Sequence, residues 1–200
     1  MALFGSVATT FEGPVIEGRG VMLRMAQSSD YADWAQLRAE SQDYLVPWEP
    51  SWSHDELSRN AYRRRLRHYQ KDLREETAYA LFLFRMPDHR LLGGITISNV
   101  RRGVTQTGTL GYWIGERYAG NGHMTEAVRA AVRYMFGALA LHRVEAACLP
   151  RNVASIRVLE KVGFQQEGLA RRYLKINGAW QDHLLFSLLA DDPPRDAFGR

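Results

Sequence analysis

Chemistry in this chain concentrates first in Ala119-Gly120-Asn121-Gly122-His123, a glycine-rich stretch between two patterned segments. Before it runs Thr109-Leu-Gly-Tyr-Trp-Ile114, rich in strand-forming residues. After Met124, the segment Thr125–Leu139 sets Val128, Ala131, Val132, Met135 and Leu139 on one helical face. A loop that opens a helix presents unpaired backbone N–H groups and a partial positive charge, and glycines let a phosphate approach closely. The stretch is a candidate diphosphate cradle, with a plain strand-to-helix turn as its structural alternative. It is not a P-loop, because no Gly-Lys-Ser/Thr follows, and the third glycine of the dinucleotide fingerprint is missing.

A second stretch lies one strand downstream: Arg151-Asn-Val-Ala-Ser-Ile-Arg-Val-Leu-Glu-Lys-Val-Gly-Phe164, followed by Glu167-Gly168. Asn152 is a helix cap, Ile156, Leu159 and Val162 share a helical face, and Gly163 suits the helix end. Cys148 is the sole cysteine, so no intramolecular disulfide forms; on a strand with no His or acid beside it, it reads as a buried thiol rather than a nucleophile. The six histidines show no metal-ligand spacing, and no metal is expected.

The elements that must position these residues follow from periodicity. Residues 1–18 read as an arm, 19–190 as one domain and 191–200 as a loose tail. Val21–Met25 alternates as a strand; Ser28, Ser29 and Asp30 start a helix carrying Tyr31, Trp34 and Leu37 to about Ser41. Tyr44–Pro50 is a rigid proline-bounded loop. Ser53-His-Asp-Glu56 has the form of a capping box, opening a helix with Arg59, Arg63, Arg64, Arg65, Arg67, Lys71 and Arg74. Strands are expected over Ala78–Phe84, Leu91–Val100, Thr107–Ile114 and Arg143–Leu149, and a hairpin turns at Asn177-Gly178 between Phe164–Ile176 and Trp180–Leu189. The order β-α-α-β-β-β-α-β-α-β-β is mixed α+β, with antiparallel strands and one β-α-β crossover.

Composition bounds the rest. With 200 residues, 46% hydrophobic and 24% charged, the chain suits one folded domain and not a disordered one. No run approaches the about 18 apolar residues of a membrane span, and Met1–Thr10 has no signal-peptide pattern. A cytoplasmic, membrane-free setting is expected. The net charge of +4 suits anionic partners and equally an ordinary basic protein.

These two motifs, with Leu45-Val-Pro-Trp-Glu-Pro50, Leu110-Gly-Tyr-Trp-Ile114 and Tyr173-Leu-Lys-Ile-Asn-Gly-Ala-Trp-Gln-Asp-His183, resemble the GNAT superfamily of N-acetyltransferases over about Arg19–Leu189. Within it they resemble the RimJ/RimL-type branch, which acetylates ribosomal-protein N-termini, and its alanine-specific members most. The resemblance implies a GNAT fold with a mostly antiparallel twisted sheet. It implies acetyl-CoA as cosubstrate, with pantetheine between splayed strands Thr107–Ile114 and Arg143–Leu149. It implies an acetyl carbonyl accepting a backbone N–H near Ile114, and a diphosphate on N–H groups of Ala119, Gly120, Asn121, Gly122, His123, Met124 and Thr125. Aligned through Gly122, Ala119 and Met124 depart from the family's Gln/Arg-x-x-Gly-x-Gly/Ala pattern.

Site residues carry over one by one. Asn152 matches the asparagine that helps hold pantetheine. Leu159 stands where many relatives carry a tyrosine acid, and Ser155 matches a serine able to donate to the leaving thiolate instead; first-turn helix polarity is its alternative. The base is open: Thr109 stands where relatives often carry Glu. Glu49, Tyr173 and Asp182 are candidates, Glu49 for binding the amine, with a solvated loop carboxylate as its alternative. Asp182 and His183 read alternatively as braces of the hairpin. An α-amine, with a pKa of about 8, needs only modest help. Trp34, Trp48 and Trp52 line an acceptor groove or simply pack.

The Arg59–Arg74 run reads first as a solvated face, and alternatively as a contact for RNA of the ribosome or an acidic protein surface. The expected activity is acetyl transfer to a primary amine by direct attack in a ternary complex, the N-terminal alanine of a ribosomal protein leading. A small-molecule amine acetyltransferase and a non-catalytic acetyl-CoA-binding or RNA-associated adaptor are the other readings. Monomer and homodimer both remain open.

Overall fold

Among the described residues eight strands form one sheet in the order β1-β2-β3-β4-β5-β6-β8-β7. They are β1 (Val15–Gly18), β2 (Val21–Met25), β3 (Tyr79–Arg85), β4 (Arg90–Arg101), β5 (Thr107–Ile114), β6 (Arg143–Cys148), β7 (Gln165–Ile176) and β8 (Ala179–Leu189). The helices are α1 (Tyr31–Glu40), α2 (Gln42–Leu45), α3 (Arg59–Arg74), α4 (His123–Phe136) and α5 (Val153–Val162). This computed structural model describes residues 13–193. Every neighbouring pair is antiparallel except β5 with β6, which α4 connects as the crossover. The expected fold class holds.

The sheet is covered on both faces, and β3 shows how. Its Tyr79-Ala-Leu-Phe-Leu-Phe84 run is buried throughout rather than alternating, as a strand clothed on both sides must be. Tyr79 meets Tyr134 of α4 edge-on at 6.0 Å, while Phe82, on the opposite side of the pleat, meets Tyr62 of α3 at 6.5 Å. So α4 covers one face and α3 the other, with Tyr31 and Trp34 of α1 packed on Tyr62. Helix α4 presents Ala127, Val128, Ala130, Ala131 and Met135 to the core; its alanines let the helix sit close to β1 and β2.

Three local expectations are corrected. Residues 15–18, expected in the arm, form edge strand β1; with four residues and one buried side chain, Ile16, they give too little alternation to read. Residues 1–12 of the arm and 194–200 of the tail lie outside the described residues. Ser53 does not open the basic helix. Its hydroxyl meets the Asp55 and Glu56 side chains, and α3 starts at Arg59, capped by Ser58, whose Oγ accepts the Ala61 N–H at 3.1 Å. Finally, Tyr44–Pro50 is wound: α2 runs into a 3-10 turn over Val46–Trp48.

Candidate active site

The crossover opens the site. β5 and β6 pair only at Thr107↔Arg143, Gly108↔Val144 and Thr109↔Glu145. Beyond these, β5 stays on β4 as far as Ile114, and β6 stays on β8 as far as Cys148. The two strands diverge into a wedge with no ladder between them. Glycines seat β5 at its open end: a Cβ on Gly93 of β4 would stand 2.2 Å from the Trp113 carbonyl oxygen. A cleft of about 630 Å³ occupies the wedge and reaches the start of α4.

At one end of the cleft lies the glycine-rich loop. Gly120 and Gly122 have φ of 79° and 81°, the left-handed region that favours glycine, and a Cβ on either would meet nothing within 4 Å. Gly122 is the N-cap of α4 and offers no side chain, so the first N–H groups of the helix stay free for a ligand. Ala119, Gly120, Gly122, His123, Met124 and Thr125 line the cleft together with Ile114. Asn121 does not: its amide turns back on the Tyr118 and Ala119 carbonyls. Arg157 and Lys161 of α5 also line it, and they complement phosphate charge. The expected Ala119 donor is spent on the Glu116 carbonyl at 3.0 Å, and the room and the remaining donors for a diphosphate lie from Gly120 onward.

Where the strands diverge, α5 begins. Asn152 caps it, its Oδ1 accepting the Ser155 N–H at 3.1 Å. Ser155 Oγ lies 2.8 Å from the Tyr112 hydroxyl, where either oxygen can donate, and the same phenol lies within donating distance of the Ser155 carbonyl at 3.2 Å. Burial pushes the Tyr112 phenol well above its ordinary range, so it stays protonated and can donate. Leu159 is core, 1% exposed, and α5 carries no phenol; β5 brings one to Ser155 instead. Tyr112 and Ser155 are 43 residues apart, so no local spacing announces the pair. Cys148 faces the same cleft, and burial pushes its thiol up to about 11.

At the other end of the cleft lies the α2 segment. Glu49 lines the wall, but both its oxygens are engaged: Arg38 donates to them at 2.8 and 2.6 Å, and Trp52 Nε1 to one at 2.9 Å. Arg38 is itself sandwiched near the rings of Trp52 and Trp113, 4.3 and 4.9 Å from their centroids. The β7–β8 turn docks here, the Asn177 N–H meeting the Glu49 carbonyl at 2.9 Å. Trp48 lines the cleft, whereas Trp34 is buried under α3. Tyr173 and Asp182 do not line the cleft; Asp182 accepts the Arg172 N–H at 2.8 Å and braces a bulge in the hairpin. His183 does line it, from β8. Sequence reading missed Tyr112, Arg38, Arg157 and Lys161; only the tertiary fold collects them. No group of three or more His, Cys, Asp or Glu among the described residues is placed to hold a metal ion.

A wedge between two parallel strands, a phosphate cradle on the following helix and a hydroxyl pair at the divergence define an acyl-CoA-binding transferase site. Residues 21–165 match the acetyltransferase (GNAT) domain family, and the chain belongs to that family. It is an N-acetyltransferase with acetyl-CoA as its acetyl donor. It is 36% identical to a probable N-acetyltransferase, YjcK, of Bacillus subtilis, over 89% of this chain and 98% of the relative. It is 34% identical to the ribosomal protein uS5-alanine N-acetyltransferase of Escherichia coli, over 86% and 89% of the two chains. The solved structure of Mycobacterium smegmatis RimJ in complex with CoA-disulfide matches with a TM-score of 0.84 at 32% identity, covering 92% of this chain and 90% of that one.

Proposed function

We propose that the chain acetylates the N-terminal amine of a protein, with the N-terminal alanine of a ribosomal protein as its acceptor. The observation that carries the acceptor is the near full-length similarity to the uS5-alanine enzyme. The roles follow from the site. The open backbone of Gly120–Gly122 and the N–H groups of His123, Met124 and Thr125 hold the diphosphate, with Arg157 and Lys161 beside it. Asn152 orders the start of α5 and borders the pantetheine passage, and Ile114 lines the acetyl end. Ser155 donates a proton to the departing thiolate, and Tyr112 holds the serine oxygen in place beside the cleft. Glu49 shapes the acceptor end by fixing Arg38 and the docked hairpin, rather than taking a proton.

The test is acetyl-CoA-dependent thiol release with peptides beginning Ala, Ser and Met, the start of uS5 among them, and with small amines. Selective turnover of Ala-starting peptides is expected. Turnover of small amines alone makes this a small-molecule enzyme, and tight acetyl-CoA binding without turnover makes it a non-catalytic binder.

A further inference from the structure

The acetyl-transfer site needs a proton acceptor for the amine, and the candidates from sequence do not supply one. Glu49 is spent on Arg38 and Trp52, Tyr173 and Asp182 lie off the cleft, and position 109 is a threonine. We propose that His183 is the general base, an inference that rests on the acetyl-transfer reading above.

His183 is 3% exposed and lines the cleft with Ser155, Cys148 and Ile176. On β8 it stands one residue beyond Leu184, whose partner Cys148 is the last paired residue of β6, so it borders the turn that leads to Asn152 and Ser155. Its Nδ1 lies 3.0 Å from the Gln181 carbonyl oxygen. A carbonyl only accepts, so Nδ1 carries the hydrogen, and in the neutral ring Nε2 carries the lone pair. Among the described residues no protein group pairs with Nε2. The Tyr173 ring meets the imidazole edge-on at 5.9 Å and fixes its plane. A buried imidazole with one nitrogen anchored and the other unpartnered beside a substrate cleft is the arrangement a base requires.

The ionisable groups around it are Tyr173 of β7, Cys148 of β6, and Glu49, Lys175 and Tyr112 along the cleft; Asp182 lies on the opposite side of β8. Glu49 is neutralised by Arg38, and burial keeps the Cys148 thiol and the Tyr112 phenol protonated. The step balances as follows. The amine nitrogen bonds to the acetyl carbon while Nε2 of His183 takes one amine proton. The carbon–sulfur bond breaks, its electron pair leaves on sulfur, and the Ser155 hydroxyl gives that sulfur a proton. Imidazolium returns its proton to solvent and Ser155 regains one, so a neutral amine and acetyl-CoA yield amide and free thiol.

The experiment measures kcat of the wild type and of His183→Asn with an Ala-starting peptide at saturating acetyl-CoA, from about pH 6 to about pH 9. Asparagine keeps a donor for the Gln181 carbonyl, so the brace survives and the base does not. The expected loss is about 100-fold in kcat near neutral pH, with KM for acetyl-CoA little changed. The deficit persists as pH rises, because a neutral amine still has to lose one proton as it bonds to the acetyl carbon. Equal kcat for the two proteins across the range overturns the proposal while leaving acetyl transfer standing. A wild type that acetylates no amine overturns the transfer reading and this inference with it. Should the variant lose its fold or its acetyl-CoA binding, nitrogen NMR of histidine-labelled wild type decides. A bare Nε2 that protonates as pH falls supports the base, and an Nε2–H tautomer overturns it.

Discussion

Tyr112 and Ser155 show how much of the site depends on single contacts. The 2.8 Å contact joins the Ser155 hydroxyl to a phenol that burial keeps protonated, and either oxygen of the pair can be the donor. Phenylalanine at 112 removes that hydrogen bond and keeps the ring. Tyr112→Phe is expected to lower kcat about fivefold, the worth of ~1 kcal/mol for a neutral hydrogen bond. Ser155→Ala is expected to cost more, and Tyr112→Phe added to it nothing further, because Tyr112 acts through the serine. Additive losses in the double variant would place Tyr112 in direct contact with substrate. The serine was legible in the sequence from its motif. The tyrosine was not, because β5 and α5 meet only once the sheet has formed.

Two elements carry separable jobs. The loop before α4 holds Gly122 at φ 81°, where a side chain costs about 1–2 kcal/mol in backbone strain. Gly122→Ala is expected to weaken acetyl-CoA binding about tenfold by calorimetry, the equivalent of about 1.4 kcal/mol, with the peptide's KM unchanged. Unchanged cofactor affinity would remove the loop from the cradle. At the closed end of the wedge, Arg143 of β6 forms an ion pair with Glu167 of β7, and Ser187 of the intervening β8 donates to the same carboxylate at 2.7 Å. Arg143 first, then Ser187, holds the Glu167 carboxyl down at about 2. Its folded pKa lies below the ordinary value of 4.5, so its stabilisation is present above that value and is lost as pH falls toward about 2. Thermal melts of wild type and Glu167→Gln are expected to differ above about pH 5 and converge in acid, modestly because the pair is half exposed. The strands, α4 and the Asn177-Gly178 turn were legible because each carries its own period or turn chemistry. β1 was too short, and the start of α3 was obscured by two serines that both suit a cap, of which Ser58 lies directly before the helix.

At the scale of the molecule, the diverging strands open one cleft that runs from the glycine-rich loop to the α2 segment, while α3 shows a separate face. Its arginines are not alike: Arg59 lies over Tyr31, Arg64 pairs with Asp55, and Arg65 pairs with Glu56. Arg63, Arg67 and Arg74 are exposed and have no acidic partner among the described residues. Spaced four and seven residues apart, they fall on one stripe. Reversing all three to Glu is expected to slow acetylation of an intact ribosomal protein on its RNA and leave a short peptide unaffected; equal effects on both would confine the stripe to solvation. Direct transfer is expected: amine and acetyl-CoA are to occupy the wedge together, and the buried Cys148, its thiol pushed up to about 11, is to carry no acetyl group. Initial rates against both substrates, with the mass of the enzyme after acetyl-CoA alone, test it most directly. Intersecting reciprocal plots and an unmodified chain are predicted. Parallel plots with an acetylated enzyme would contradict it.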